Sequence, residues 1–137
     1  MTPVKSLNHV GIAVRSLEDQ RSFYEGTLGA EYEGTEEVPS QKVRVAFYLI
    51  NDVRLELLEP TDPESPIAKF IEKRGEGLHH LAFTVDDIEA RIAEYKEGGV
   101  RMIDDTPRPG AHDARIAFVH PKSSCGVLTE LCQVGAH

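Results

Sequence analysis

The chain has no tryptophan and only two cysteines and two methionines among its 137 residues. Two thiols are too few for the disulfide frameworks that hold small secreted domains together. Cys125 follows a turn-like segment and Cys132 lies in an apolar run, so two thiols are expected rather than a disulfide. No apolar run reaches the length of a signal peptide or a membrane span, including the segment MTPVKSLNHV. A cytoplasmic protein without a membrane partner is therefore expected. Positive charge is also scarce. Fifteen Lys and Arg against 23 Asp and Glu leave a net charge of −8. That balance excludes the broad basic face that nucleic acid or an anionic bilayer needs. A polyanionic small substrate would have to be met by a local basic cluster. Linker and low-complexity segments are missing as well, so the chain is expected to be a single domain over residues 1–137. At 40% hydrophobic and 28% charged, its composition is that of an ordinary globular protein. Its length suffices to bury roughly two-thirds of the unfolded surface.

What the chain does have is an internal repeat. LNHVGIAVRSLEDQRSFYEG, running on to RLELLEP, is matched by LHHLAFTVDDIEARIAEYKEGG, running on to VLTELCQ. His9 and His80 are 80 − 9 = 71 residues apart, and Glu56 and Glu130 are 130 − 56 = 74 apart. At the offset of 71, Leu7 meets Leu78, Val14 meets Val85, Glu18 meets Glu89 and Tyr24 meets Tyr95.

Each half reads as strand, helix and three further strands. Module 1 covers about 5–60, a connector helix about 65–75, and module 2 about 77–134. Residues 7–14 alternate, with Val10, Ile12 and Val14 on one face and Leu7, His9, Gly11 and Ala13 on the other. Ser16, with Asp19 three residues on, caps a helix that runs to about Leu28 before Gly29. Strands 43–50 and 53–59 turn at Asn51-Asp52. Ser65-Pro66 opens the connector helix, which ends before Gly75. In the second half, a strand at 78–85 leads to a helix from about Asp87 to Lys96, closed by Gly98-Gly99. A short strand follows near 100–103, then a loop at 104–114, then strands at 114–120 and 126–133. Tyr24 and Tyr95 read as helix residues packed on the sheet.

The strand period gives the four repeated residues a common purpose. His9 shares its face with Gly11 and Ala13, and His80 with Ala82 and Thr84. Glu56 stands opposite the face of Leu55 and Leu57, and Glu130 opposite that of Thr129 and Leu131. The apolar faces can bury against the helices, while small residues beside the histidines leave room for a site. A buried carboxylate without a partner costs several kcal/mol, so two of them inside apolar strands require cations or a metal. Two imidazoles and two carboxylates without thiolate do not suggest a closed structural zinc site. They suit Co, Ni, Mn, Fe or Zn. A six-coordinate ion would keep two adjacent positions for a substrate that chelates through two oxygens. Of the other histidines, His79 points away from His80's face, and His112 and His120 have no evident partner in the sequence.

With these residues in place, the chain resembles the vicinal oxygen chelate superfamily. Within it, nearly the whole length is similar to the epimerases of methylmalonyl-CoA. The matching segments are LNHVGIAV (7–14), FYEGTLGA (23–30), ELLEP (56–60), SPIAKFIEKRGEGLHHLAFTVDDI (65–88), PRPGA (107–111) and HPKSSCGVLTEL (120–131). The resemblance implies an α+β fold in which two tandem βαβββ modules form a curved mixed sheet around a metal site. It implies one divalent ion per subunit, commonly cobalt, on His9, Glu56, His80 and Glu130, and a homodimer acting on an acyl-CoA. The implied reaction interconverts the epimers at C2 by proton abstraction through a metal-stabilised enolate. Two departures stand out. Many relatives have Gln where this chain has Glu56, and many have a catalytic glutamate where it has Val45. Glu130 is then expected as one base and Glu56 as the base on the opposite face. Lys122, Arg115, Lys42 and Arg44 are weaker candidates for holding the substrate's negative charges. Two alternatives remain at this point: a glyoxalase I-type lactoylglutathione lyase, and a non-catalytic small-molecule-binding protein of the same fold.

Overall fold

The structure, a computed structural model, describes residues 2–135. It divides into two compact units, residues 9–79 and residues 1–8 together with 80–137. The first holds strand β1 (Ser6–Ala13, from His9 on), helix α1 (Leu17–Arg21), β2 (Glu31–Val38), β3 (Val43–Ile50), β4 (Val53–Pro60) and α2 (Pro66–Arg74). Its strands lie in the order β2-β3-β4-β1, with β1 parallel to β4 and the other neighbours antiparallel. The second unit holds β5 (Gly77–Thr84, from His80 on), α3 (Ile88–Glu97), β6 (Arg108–Pro109), β7 (Arg115–Val119) and β8 (Thr129–Gln133). Its order is β5-β8-β7-β6, again with one parallel pair, β5 with β8. The α+β class and the two βαβββ modules expected from the sequence are thus what the chain adopts.

The helix starts follow the capping residues. Ser16 Oγ accepts the Asp19 amide at 3.2 Å, Ser65 Oγ accepts that of Ile67 at 3.1 Å, and Asp87 Oδ1 accepts that of Ala90 at 3.1 Å. Pro66 occupies the first turn of α2, where its missing N–H costs nothing. The stretch expected as one helix to about Leu28 has two windings. α1 stops at Arg21, and Ser22–Thr27 continues as a wider turn in which the Leu28 amide donates to the Phe23 carbonyl. At the hairpin between β3 and β4, Asn51 takes the positive φ of +51° that such tight turns require.

Two strands depart from expectation. Near 100–103 there is a single bridge between Met102 and Val119, and the outer strand of the second unit is the two-residue β6. Pro107 and Pro109 flank Arg108 and cannot donate to a ladder, which keeps β6 short. In the first unit, β2 carries Glu31, Glu33, Glu36 and Glu37 and ends its sheet, so its outer edge faces water.

The helices cover the apolar faces. In the first unit Val14, Ala30, Ala46, Tyr48 and Leu57 form a buried cluster, joined by Ile12, Leu17, Tyr24 and Leu55. In the second, Val85, Ile88, Ile92, Ala117, Val119 and Leu131 do the same, joined by Val4, Tyr95, Val100 and Met102. Tyr24 and Tyr95 hold the packing roles expected of them.

The buried Tyr48 hydroxyl donates to Glu25 Oε2 at 2.7 Å, and Arg21 Nε donates to the same oxygen at 3.0 Å. The Arg21 bond, then the Tyr48 bond, hold the Glu25 carboxyl below the usual carboxylate range. A carboxyl lowered in the folded state contributes stability above its unfolded pKa, and that contribution fades as pH falls through the folded value. Tyr48→Phe is expected to move the acid unfolding midpoint, followed by circular dichroism, to higher pH. Its loss of stability relative to wild type should shrink in acid. A deficit that is constant across the whole pH range would contradict this account.

Candidate metal centre

Among the described residues, the buried imidazoles and carboxylates are His9, Glu56, His80 and Glu130, each no more than 7% exposed. In the first unit, His9 lies on the face of β1 that buries Gly11 and Ala13. The parallel register sets Gly11 beside Glu56 of β4, and His9 Nδ1 comes 3.2 Å from Glu56 Oε2. In the second unit, His80 shares a buried face with Ala82 and Thr84. The register sets Ala82 beside Glu130 of β8, and His80 Nε2 comes 3.3 Å from Glu130 Oε1. The two arrangements are copies at the level of register. Gly11 and Ala82 are separated by 82 − 11 = 71, as the histidines are, and small residues at both positions let each glutamate sit beside the strand backbone.

The donor chemistry fits a divalent ion. Nitrogen and oxygen ligands at about 2.1 Å from one ion lie about 3.0 Å apart at a right angle and about 3.4 Å apart in a tetrahedron. The observed 3.2 and 3.3 Å fall between these values. His9, His80 and Glu130 each offer an atom able to hold a metal ion, and all three are buried. An aromatic ring stands across from each glutamate. Phe47 of β3 pairs with Glu56, and Phe118 of β7 pairs with Glu130. Neither ring figures among the residues expected from the sequence, although 118 − 47 = 71 repeats the histidine offset.

The remaining candidates differ in their surroundings. Arg44 Nη1 lies 2.6 Å from Glu59 Oε1, and Arg115 Nη2 lies 2.7 Å from Glu89 Oε2. The Glu89 bond raises the Arg115 pKa above its ordinary value. Lys42 and Lys122 are exposed. Val45 is buried, facing Leu58 and Glu36 in the sheet, and carries no titratable group. His79 packs edge-on against Phe70 of α2 with ring centroids 4.9 Å apart, on the face opposite His80. His120 does have a partner, which the sequence did not reveal: its Nδ1 accepts the Lys122 amide at 3.0 Å. Burial first, then Arg101 and Lys122, lower its pKa. Cys125 is exposed, Cys132 is buried, and no disulfide joins them. No helix among the described residues is long and apolar enough to cross a membrane.

Comparison with known proteins places the fold in a family. The family described as the Glyoxalase/Bleomycin resistance protein/Dioxygenase superfamily matches residues 8–118. The ethylmalonyl-CoA/methylmalonyl-CoA epimerase of Cereibacter sphaeroides is 42% identical, over 93% of this chain and 97% of its own. A solved methylmalonyl-CoA epimerase in complex with methylmalonyl-CoA and NH4+ superposes with a TM-score of 0.93 at 41% identity, over 98% of this chain and 97% of its own. A variant of the Streptomyces coelicolor methylmalonyl-CoA epimerase, in complex with 2-nitronate-propionyl-CoA, gives the same score, identity and coverage. The chain has the vicinal oxygen chelate fold of that superfamily and belongs, within it, to the methylmalonyl-CoA epimerase family.

Proposed function

We propose that the protein interconverts the two C2 epimers of methylmalonyl-CoA, with one divalent ion held by His9, Glu56, His80 and Glu130. The observation that carries this reading is the twice-repeated buried His–Glu pair, in a chain whose relatives at 36–42% identity are named as methylmalonyl-CoA epimerases. Each carboxylate has an imidazole 3.2–3.3 Å away, and an ion shared by the two modules would compensate the charge of both carboxylates at once. Cobalt is our first choice of ion, and Mn, Ni, Zn or Fe suit the same donors. Such an ion supplies the positive charge that stabilises the negative charge growing on the thioester oxygen as C2 loses its proton.

The chain's own groups move the proton. Glu130, as the carboxylate, would take it from one face, and Glu56, in its protonated form, would return one to the other; the reverse reaction exchanges the two roles. Val45 has no proton to give, so Glu56 is the remaining carboxylate for that face. The substrate's carboxylate and phosphates need cations. Arg44 and Arg115 are engaged by Glu59 and Glu89, which makes the exposed Lys42 and Lys122 the better two of the four candidates. A cytoplasmic homodimer completes the proposal. The glyoxalase I reading would use the same donors on a hemithioacetal of glutathione. The names of the similar proteins favour the epimerase, and the intact donor set disfavours a binding protein without catalysis.

The test is deuterium entry at C2 of methylmalonyl-CoA in D2O, followed together with its configuration. Entry with loss of configuration is expected. Lactoylglutathione formation without such exchange would overturn the proposal. Glu56→Gln is expected to retain the ion through its amide oxygen and to exchange deuterium into one epimer. Epimerisation should fall by about 10²–10³-fold. Epimerisation at the wild-type rate would remove Glu56 as a base.

A further inference from the structure

Behind each His–Glu pair lies the same three-part arrangement, and neither the reaction nor the ion makes direct use of it. In the second unit, Phe118 stands opposite Glu130 and its ring is edge-on to His80, with centroids 5.7 Å apart at 85°. The Arg108 guanidinium lies over the Phe118 ring, 5.3 Å from its centroid. A single carboxylate ties the two together. Asp104 Oδ1 lies 3.3 Å from Arg108 Nε, and Asp104 Oδ2 accepts the Phe118 amide at 2.9 Å. Phe118 is thus held by its backbone and by its ring face at once. In the first unit, Phe47 stands opposite Glu56, the Arg54 guanidinium lies 5.9 Å from its ring centroid, and Arg54 Nε is 3.5 Å from Glu33 Oε1.

The two phenylalanines sit at the repeat offset of 71, but the arginines do not: 108 − 54 = 54. Arg54 comes from the strand of its own glutamate, whereas Arg108 comes from a separate short strand. The same contact is therefore reached by two different routes, which the repeat alone would not produce. Residues directly opposite in an antiparallel pair have Cβ atoms about 5 Å apart, so each ring borders its glutamate side chain. A guanidinium over the ring face stiffens the ring, and the ring limits the rotamers open to the glutamate. In the second unit it also limits rotation of the His80 imidazole.

We infer that Arg108 with Asp104, and Arg54 with Glu33, are positioning residues that hold Phe118 and Phe47 as rigid walls orienting the metal-binding side chains of their own modules. This rests on the metal reading proposed above. Outer groups that orient ligands typically matter 10–100-fold in metal affinity. The test is cobalt titration by calorimetry on metal-stripped wild type, Arg108→Met, Arg108→Lys and Arg54→Met. Thermal melts of the metal-free proteins and visible spectra of the loaded ones accompany it. Methionine keeps an apolar stem over the ring and removes the planar cation. Each Met variant is expected to bind cobalt about tenfold more weakly and with shifted absorption bands, while melting as the wild type does. Arg108→Lys should recover part of the affinity. Met variants with wild-type affinity and spectrum would overturn the inference, as would losses of affinity matched by equal losses of melting temperature. A wild type that takes up no cobalt would overturn the metal reading, and this inference with it.

Discussion

Glu130→Gln is expected to lower epimerisation of methylmalonyl-CoA by about 10³-fold or more while the chain still folds. The substitution keeps the shape and an oxygen able to face a cation, and removes the group that accepts the proton. Glu130 is 4% exposed and lies beside Ala82 on one strand and Phe118 on the other. No other carboxylate among the described residues of its unit is buried, so none stands ready to replace it within that module. The same substitution relieves a buried charge and is expected to leave the melting temperature of the metal-free protein unchanged or raised. Stopped-flow or coupled turnover measurements, with melting curves alongside, check both halves. Turnover within tenfold of wild type would remove Glu130 as a base.

Leu57→Ala is expected to cost about 2–5 kcal/mol of folding stability, measured by urea unfolding. Leu57 is 0% exposed and lies in the cluster of Val14, Ala30, Ala46 and Tyr48, beneath Leu17 and Tyr24. The neighbouring side chains are already packed against one another, so they relax only partly into the cavity left behind. Leu57 also follows Glu56 in β4, so loosening the apolar face of that strand loosens its acidic face. Metal affinity should therefore fall together with stability. Leu78→Ala, at a residue 73% exposed, is the control and should change stability by no more than about 0.5 kcal/mol. Equal effects at the two positions would show that the apolar face of β4 is not what the helices cover.

The sequence carried most of the fold because β period and capping chemistry are local. The alternation in residues 7–14 places His9 on the face that buries Gly11 and Ala13. Ser65, Pro66 and Gly75 set both ends of α2. β2 was harder to see, since EYEGTEEV offers four glutamates and one aliphatic residue. Its pairing is set by register with β3 rather than by its own pattern. Residues 100–114 were harder still. Two prolines break any periodicity there, and His112 and Asp113 take a positive φ that these residue types tolerate but that no periodic pattern marks. The four metal-binding candidates were legible because the repeat marks them. Phe47 and Phe118 carry the same mark, but apolar residues in apolar strands do not announce themselves as part of a site. Arg54 and Arg108 carry no repeat signal, and only the folded chain brings them over the rings.

The proposed function requires one cation for both His–Glu pairs. Metal content per chain, by plasma emission on protein purified without chelator and dialysed against cobalt, tests it most directly. The account predicts about one ion per chain in the wild type, and its loss in His9→Ala and in His80→Ala alike. Two ions per chain, or a His9→Ala protein that keeps its ion as firmly as the wild type, would contradict it.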